Sequence, residues 1–427
     1  MPDLPIDAGV VPLAALIVGI AVFGVLLLHR GPRWWTRRVP LAIAVGLGLT
    51  VLVGVTSQWW RPAGQALSTA ALAWTAVVLV ATGLALLRGR RSRTTGPALV
   101  LVVALAGCGV IQVTGTTGRP STAADLLSSS VDQVPAAEAL TDSAQPAVAV
   151  GPLIDGWQPP PDLPATGQVT VVPIPGTVSG FAAGDAWVYL PPAYATTSRT
   201  ELPVLVLLAG NPGEPRDWFD GGALATTMDD YAADHHGLAP VVIVPDWLGT
   251  SGANPLCVDS AASGDDYSYL TVDVHDWIVD TLQVDVDPRG WAVGGFSAGG
   301  TCALQLATRD PVQYPTVLAF STQDHPVLET DEDTVDALFD GDQGAYDAYD
   351  PMVALADSTF PDSAGFFAAG ADDDVYRPQT EAVYRAAVTA GMDAQYTILP
   401  GGHDFSVWSA ALELALPWLG SRRGVSP

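Results

Sequence analysis

Ser297 is where this sequence offers covalent chemistry. It lies in Gly295-Phe296-Ser297-Ala298-Gly299, a G-x-S-x-G spacing between an apolar run, Trp291–Val293, and the helix-forming run Cys302–Ala307. A serine on a sharp strand-to-helix turn needs glycine on both sides, because a side chain there would collide with neighbouring backbone. The turn lifts the hydroxyl above the sheet and aims the first helical N–H groups at a developing oxyanion. The hydroxyl becomes a good nucleophile only when a base takes its proton, and the base needs an orienting acid. In such a fold the three follow in the order serine, acid, histidine. Beyond Ser297 the chain holds His325 and His403. His403 sits in Leu399-Pro400-Gly401-Gly402-His403-Asp404-Phe405, a glycine loop between a strand and the last helix, and is the expected base. His325 comes too early, with no acid-bearing strand before it. His235, His236 and His275 precede the serine and are read as surface or capping residues.

The acid is expected after the strand Phe366–Ala369, in Gly370-Ala371-Asp372-Asp373-Asp374. Spacing from Gly370 favours Asp373, with Asp372 and Asp374 open as alternatives. Adjacent carboxylates raise one another's pKa, so one of the three is expected to be buried and paired and the others solvated. The oxyanion needs two N–H donors. Ala298 supplies one, as the residue after the nucleophile. The other is expected in Ala209-Gly210-Asn211-Pro212-Gly213, and Asn211 is chosen because Pro212 has no N–H.

These groups need a scaffold. Short β-rich runs at Val169–Ile174, Ala186–Leu190, Val204–Leu208, Val241–Val244, Val317–Phe320, Phe366–Ala369 and Ala394–Leu399 are bounded by Gly and Pro. Helical patterns fall between or after them, at Ala223–His235, Tyr269–Leu282, Thr380–Ala390 and Trp408–Leu419. Alternation of this kind implies a doubly wound, mostly parallel sheet of the α/β class.

Val188-Tyr189-Leu190-Pro191-Pro192-Ala193-Tyr194, Leu205–Gly213 with Asp217-Trp218, Pro245-Asp246, the Ser297 turn and Gly401-Gly402-His403-Asp404 resemble the esterase D and mycolyltransferase-like branch of the α/β hydrolases. The resemblance spans about 168–419. It implies a cofactor-free serine ester hydrolase or acyltransferase, with Ser297 as nucleophile, Asp373 as acid, His403 as base, and Asn211 and Ala298 as oxyanion donors. Two departures point away from mycolyl transfer. Ala209-Gly210 stands where the family often has His-Gly or Asp-Gly, and the acid is Asp where mycolyltransferases use Glu.

Charge divides the chain. Residues before Pro120 carry ten Arg and two acids, and those after it eight Arg and forty-three acids; there is no Lys. Four apolar stretches, Gly9–Leu28, Leu41–Gln58, Leu67–Leu87 and Pro97–Val113, each approach the ~20 residues of a membrane-spanning helix. Arg30, Arg33, Arg37 and Arg38 follow the first, and Arg88, Arg90, Arg91 and Arg93 the third. Basic loops stay in the cytoplasm, so both ends of this sector are expected outside it. The expected organisation is a four-helix transmembrane sector (1–115), a Pro/Ser/Ala-rich linker (116–165) and an α/β-hydrolase domain (166–427). Leu105-Ala106-Gly107-Cys108 has the pattern of a lipidation site at Cys108, but its internal position favours small-residue packing in the fourth helix. The acidity after Pro120 excludes nucleic acid as a partner. Asp331-Glu332-Asp333 and Asp340-Gly341-Asp342 lack calcium-loop spacing and read as solvated surface. No zinc, phosphate-loop or dinucleotide spacing is present, so no metal or cofactor is expected.

An extracytoplasmic domain folds in an oxidising compartment. The domain holds two cysteines, Cys257 in an irregular segment and Cys302 on the helix behind Ser297, and they are expected to form a disulfide. The whole reads as a membrane-anchored, extracytoplasmic serine hydrolase of carboxylic esters. Acyl transfer to an envelope glycan or lipid, and a catalytically inactive binding module, are the alternatives.

Overall fold

A computed structural model describes residues 32–59, 69–87, 131–140, 153–196, 199–250 and 254–425, with isolated positions at 16–25 and 102–106. The chain divides into two compact units, 1–129 and 130–427.

In the first unit, helices α1 (Val39–Trp59) and α2 (Thr69–Leu87) pack together, with Trp34, Val39, Ala42, Val80 and Leu84 buried between them. A stretch of 23 residues, Trp34–Thr56, is long and apolar enough to cross a membrane, with mean hydropathy 2.2; Leu72–Leu87 is a shorter apolar helix. Among the described residues this is one candidate span, where the sequence predicts four. The expected spans Gly9–Leu28 and Pro97–Val113 lie mostly outside the described residues, as does Cys108. The basic connection expected up to Val39 is partly helical, since Trp34–Arg38 forms a π turn leading into α1. Arg38 donates to the Leu87 carbonyl at 2.6 Å, satisfying an orphan acceptor at the end of α2.

The second unit is built on eight strands. They are β1 (Gln168–Pro173), β2 (Asp185–Leu190), β3 (Val204–Leu208), β4 (Val241–Val244), β5 (Trp291–Phe296), β6 (Thr316–Phe320), β7 (Ala364–Gly370) and β8 (Asp393–Leu399). Their order in the sheet is β1-β2-β4-β3-β5-β6-β7-β8. Strand β2 runs antiparallel to both its neighbours and every other pairing is parallel. From β3 to β7 every strand residue is buried, which is why these strands read as unbroken apolar runs. The edge strand β8 is half-buried or exposed throughout.

Helices cover the sheet: α3 (Leu224–Asp234), α4 (Val274–Thr281), α5 (Ala298–Arg309), α6 (Asp331–Phe339), α7 (Pro351–Asp357), α8 (Tyr376–Thr389) and α9 (Phe405–Arg423). Two start earlier than apolar periodicity suggests, for reasons of capping chemistry. Asp404 caps α9 by accepting from Ser406 N at 2.9 Å, and α8 tolerates Pro378 because it lies in the first turn. Helix α6 was hidden by its acidic composition; Thr330 caps it, accepting from Asp333 N at 3.1 Å. Parts of the stretch read as a linker pack on this unit. Val134 N donates to Val169 O at 2.8 Å, and Ala139 and Leu153 are buried in the core.

The strand order reverses at β3, between β4 and β5. Loops leaving the carboxyl ends of strands at such a switch point diverge and leave a crevice, and ligands bind there. The loops after β3, β5, β7 and β8 carry Asn211, Ser297, Asp373 and His403.

Candidate active site

Ser297 connects β5 to α5 with φ 55° and ψ −128°. A non-glycine residue in this region costs on the order of 1–3 kcal/mol and needs surrounding structure to hold it. The hold is visible. Ser297 N donates to Phe320 O on β6 at 2.8 Å, and its carbonyl accepts from Gly300 N at 2.9 Å and Thr301 N at 3.1 Å. The flanking glycines are sterically required. A Cβ on Gly295 would lie 2.4 Å from the Gly299 carbonyl carbon, and one on Gly299 would lie 2.4 Å from Ala209 O. The helix therefore folds tightly back on the strand, as the motif demands. Beneath the turn, Phe296 stacks on Trp408 at 4.1 Å and meets Trp218 and Phe405 edge-on.

His403 reaches over from the loop after β8. Its Nε2 lies 3.0 Å from Ser297 Oγ and its Nδ1 lies 2.8 Å from Asp373 Oδ2. With the proton on Nδ1 donated to Asp373, Nε2 is free to accept from the serine hydroxyl. Asp373 is buried, and its other oxygen accepts from Tyr376 N at 3.0 Å. Asp372 and Asp374 point outward and are exposed; Asp374 lies 4.0 Å from Arg377. The structure thus brings one of the three carboxylates to the histidine. His325 lies elsewhere, bridging Asp324 at 2.6 Å and Asp331 at 3.0 Å.

Two aromatic side chains that the sequence did not single out hold the imidazole. Tyr376 stacks on it with ring centroids 4.2 Å apart and 29° between planes, and Trp408 meets it edge-on at 5.0 Å. The only hint in the sequence was the spacing of Tyr376, three residues past Asp373.

The loop after β3 runs beside the nucleophile, since a Cβ on Gly210 would come within 3.2 Å of Ser297 Cβ. Trp247 fixes this loop by donating to Ala209 O at 2.8 Å, and Trp218 donates to Leu208 O at 3.1 Å. Neither Asn211 N–H nor Ala298 N–H has a hydrogen-bond partner among the described residues.

On the other side of Ser297, Cys257 and Cys302 form a disulfide with Cα atoms 5.3 Å apart. Gln305, one turn along α5, donates to the carbonyls of Leu256 at 3.0 Å and Cys257 at 3.3 Å. Farther along the same segment, Asp266 is fully buried, and among the described residues its carboxylate oxygens make no well-formed hydrogen bond. Burial, then the nearby charges of Asp259 and Asp246, push its pKa well above the usual carboxylate range, with the Cys257 backbone N–H opposing.

The model of a family described as "Putative esterase" matches residues 185–419, more than half of the chain. An uncharacterized protein of Corynebacterium glutamicum is 39% identical over 269 residues, which is 61% of this chain and 63% of that protein. The chain thus spans less than two thirds of that relative's length. Among solved structures, a ferulic acid esterase matches with TM-score 0.51 and 22% identity over 60% of this chain and 98% of its own. An S-formylglutathione hydrolase from Agrobacterium tumefaciens matches with TM-score 0.51 and 19% identity over 61% and 97%. At these identities the likeness is one of fold.

Proposed function

The chain belongs to this esterase family, and from that premise we propose that it is a serine ester hydrolase working through Ser297, His403 and Asp373. One observation carries the reading: Asp373, His403 and Ser297 stand in an unbroken hydrogen-bonded line of 2.8 and 3.0 Å. Ser297 Oγ attacks the ester carbonyl carbon while His403 Nε2 takes its proton. The carbonyl oxygen becomes an oxyanion held by the N–H groups of Ala298 and Asn211. His403 returns the proton to the leaving alcohol, and Asp373 stabilises the imidazolium formed meanwhile. Water, activated by the same histidine, then hydrolyses the acyl-enzyme.

The domain is proposed to lie outside the cytoplasm, anchored by four spans within 1–115. The arginine placement supports this, as do the exposed apolar side chains along α1 and the disulfide. The chemical test uses the full chain in detergent. A fluorophosphonate probe is expected to label Ser297, and p-nitrophenyl acetate hydrolysis is expected to vanish in Ser297→Ala. An unlabelled Ser297, with turnover surviving the substitution, overturns the mechanism. Comparing products with and without added alcohol acceptors separates hydrolysis from acyl transfer. Topology is tested by a reporter fused after Val113; activity of a cytoplasm-specific reporter there overturns the sidedness.

A further inference from the structure

Strand β6 stands between β5, which leads to the nucleophile, and β7, which leads to the acid. The loop leaving β6 therefore lies between the two halves of the triad, and it begins with strain. Ser321 has φ 46°, is fully buried, and its Oγ makes no hydrogen bond among the described residues. A non-glycine residue at such a φ persists only where its surroundings over-determine it. Here backbone holds it from both sides: Ser297 N donates to Phe320 O, and Ser321 N donates to Ala368 O on β7, each at 2.8 Å. The turn brings Thr322 and Gln323 onto the first turn of α5. A Cβ on Gly300 would lie 3.3 Å from Thr322 Cβ, so helix and loop are in close contact.

Three buried threonines fasten this loop on its two sides. On α5, Thr301 Oγ1 lies 3.0 Å from Thr322 Oγ1, accepts from Gln323 N at 3.1 Å and lies within donating distance, 3.3 Å, of the Ser297 carbonyl oxygen. On α8, Thr380 Oγ1 lies 3.3 Å from Thr322 O and 2.9 Å from Tyr376 O, and Gln379 Oε1 accepts from Asp324 N at 3.3 Å. Helix α8 opens with Tyr376, whose N–H holds Asp373 and whose ring stacks on His403. A path of hydrogen bonds, continued through the backbone of Thr322, thus runs from the nucleophile's carbonyl to the helix that holds the acid and the base. The path matters because Ser297 and His403 come from different strands. Their 3.0 Å contact is already near the limit of about 3.2 Å for direct proton transfer. A misplacement on the order of 1 Å between such groups can cost about a hundredfold in rate. Buried hydroxyls suit the task, since shifting the loop would leave donors and acceptors without partners.

We infer that Thr301 is a positioning residue for the proposed reaction: its hydroxyl seats the loop after β6 and so sets the distance between Ser297 and the Asp373–His403 pair. This rests on the esterase reading above. The test uses the full chain in detergent and compares Thr301→Val, which keeps the shape and removes the hydroxyl, with Thr301→Ser, which keeps the hydroxyl. Hydrolysis of p-nitrophenyl acetate is measured per Ser297 labelled by a fluorophosphonate at completion, so unfolded protein is not counted. Thr301→Val is expected to lower kcat and the rate of labelling about tenfold, with KM changed less than about twofold. Thr301→Ser is expected to recover to within about threefold of wild type. A kcat per labelled serine that stays within about twofold of wild type in Thr301→Val overturns the inference. Equal losses in the two variants, or an effect confined to KM, overturn it as well. If Thr301→Val does not fold, Thr380→Val at the other end of the path decides: a loss of about threefold in kcat is expected, and an unchanged kcat overturns the inference. A labelled, active wild type with indifferent variants sinks the inference alone. A wild type that is neither labelled nor active sinks the esterase reading and the inference with it.

Discussion

The two sides of Ser297 are built by different means. Toward β7 and β8, Asp373 and His403 are held by hydrogen bonds and ring contacts alone, on loops that leave the sheet and meet above it. Toward α5, residues 254–266 are tied down by a covalent bond, two carbonyl contacts from Gln305 and buried packing. In the proposed mechanism a proton passes on the first side between Oγ, Nε2 and a leaving oxygen. On the second side nothing is transferred, and the wall serves only by staying in place. Adjustable contacts accompany the moving proton and a fixed bond accompanies the shape.

The sharpest way to break this comparison is to attack the proton side. His403→Ala and Asp373→Asn are each expected to lower kcat by about 10^4-fold or more. Asp372→Asn and Asp374→Asn are expected to stay within about twofold, since both are exposed. A loss at Asp372 or Asp374 as large as that at Asp373 removes the assignment of the acid. The next effect is on the other side. Replacing both Cys257 and Cys302 by Ser is expected to cost about 3–4 kcal/mol in stability, read from denaturant midpoints, because 45 residues separate the linked positions. Triad chemistry is expected to survive in the fraction that folds. A collapse of kcat in that folded fraction shows that the wall does more than hold shape.

Smaller again is the loss of the ring on the imidazole. Tyr376→Leu is expected to lower kcat about tenfold with little change in KM, and Tyr376→Phe to restore it, because stacking is worth on the order of 1 kcal/mol. Equal losses in both variants refute a role for the ring face.

The smallest effect is one of sign. Folding favours the protonated form of Asp266, whose pKa is raised, so more protons are bound in the folded than in the unfolded state. Stability from this group is complete below the ordinary carboxylate value of about 3.9 and declines as pH rises above it. Asp266→Asn removes that decline. Its stability relative to wild type is therefore expected to increase between pH 4 and pH 7, measured by urea midpoints. A relative stability that falls over that range contradicts a buried acid whose protonated form is favoured by folding.

The nucleophile turn was legible because its steric demand is local: Gly295 and Gly299 must be bare whatever the rest of the chain does. Strands β3 to β7 were legible because burial on both faces leaves continuous apolar runs. His403 could be placed by order along the chain. The choice among Asp372, Asp373 and Asp374 could only be ranked, since three identical side chains differ only in which one the turn after β7 directs inward. Tyr376 and Trp408 were not singled out because an aromatic at a helix start normally means packing, even though Trp408 lies only five residues past His403. The packing of Ala139 and Leu153 was hidden in a stretch whose composition reads as solvated.

The backbone at Ser297 carries a further meaning. At φ 55° glycine is the comfortable occupant, and this chain uses glycine freely, with 43 of them. In the proposed mechanism the strained turn is what the hydroxyl costs the fold: Ser297→Gly would relax the backbone and remove the nucleophile in the same step.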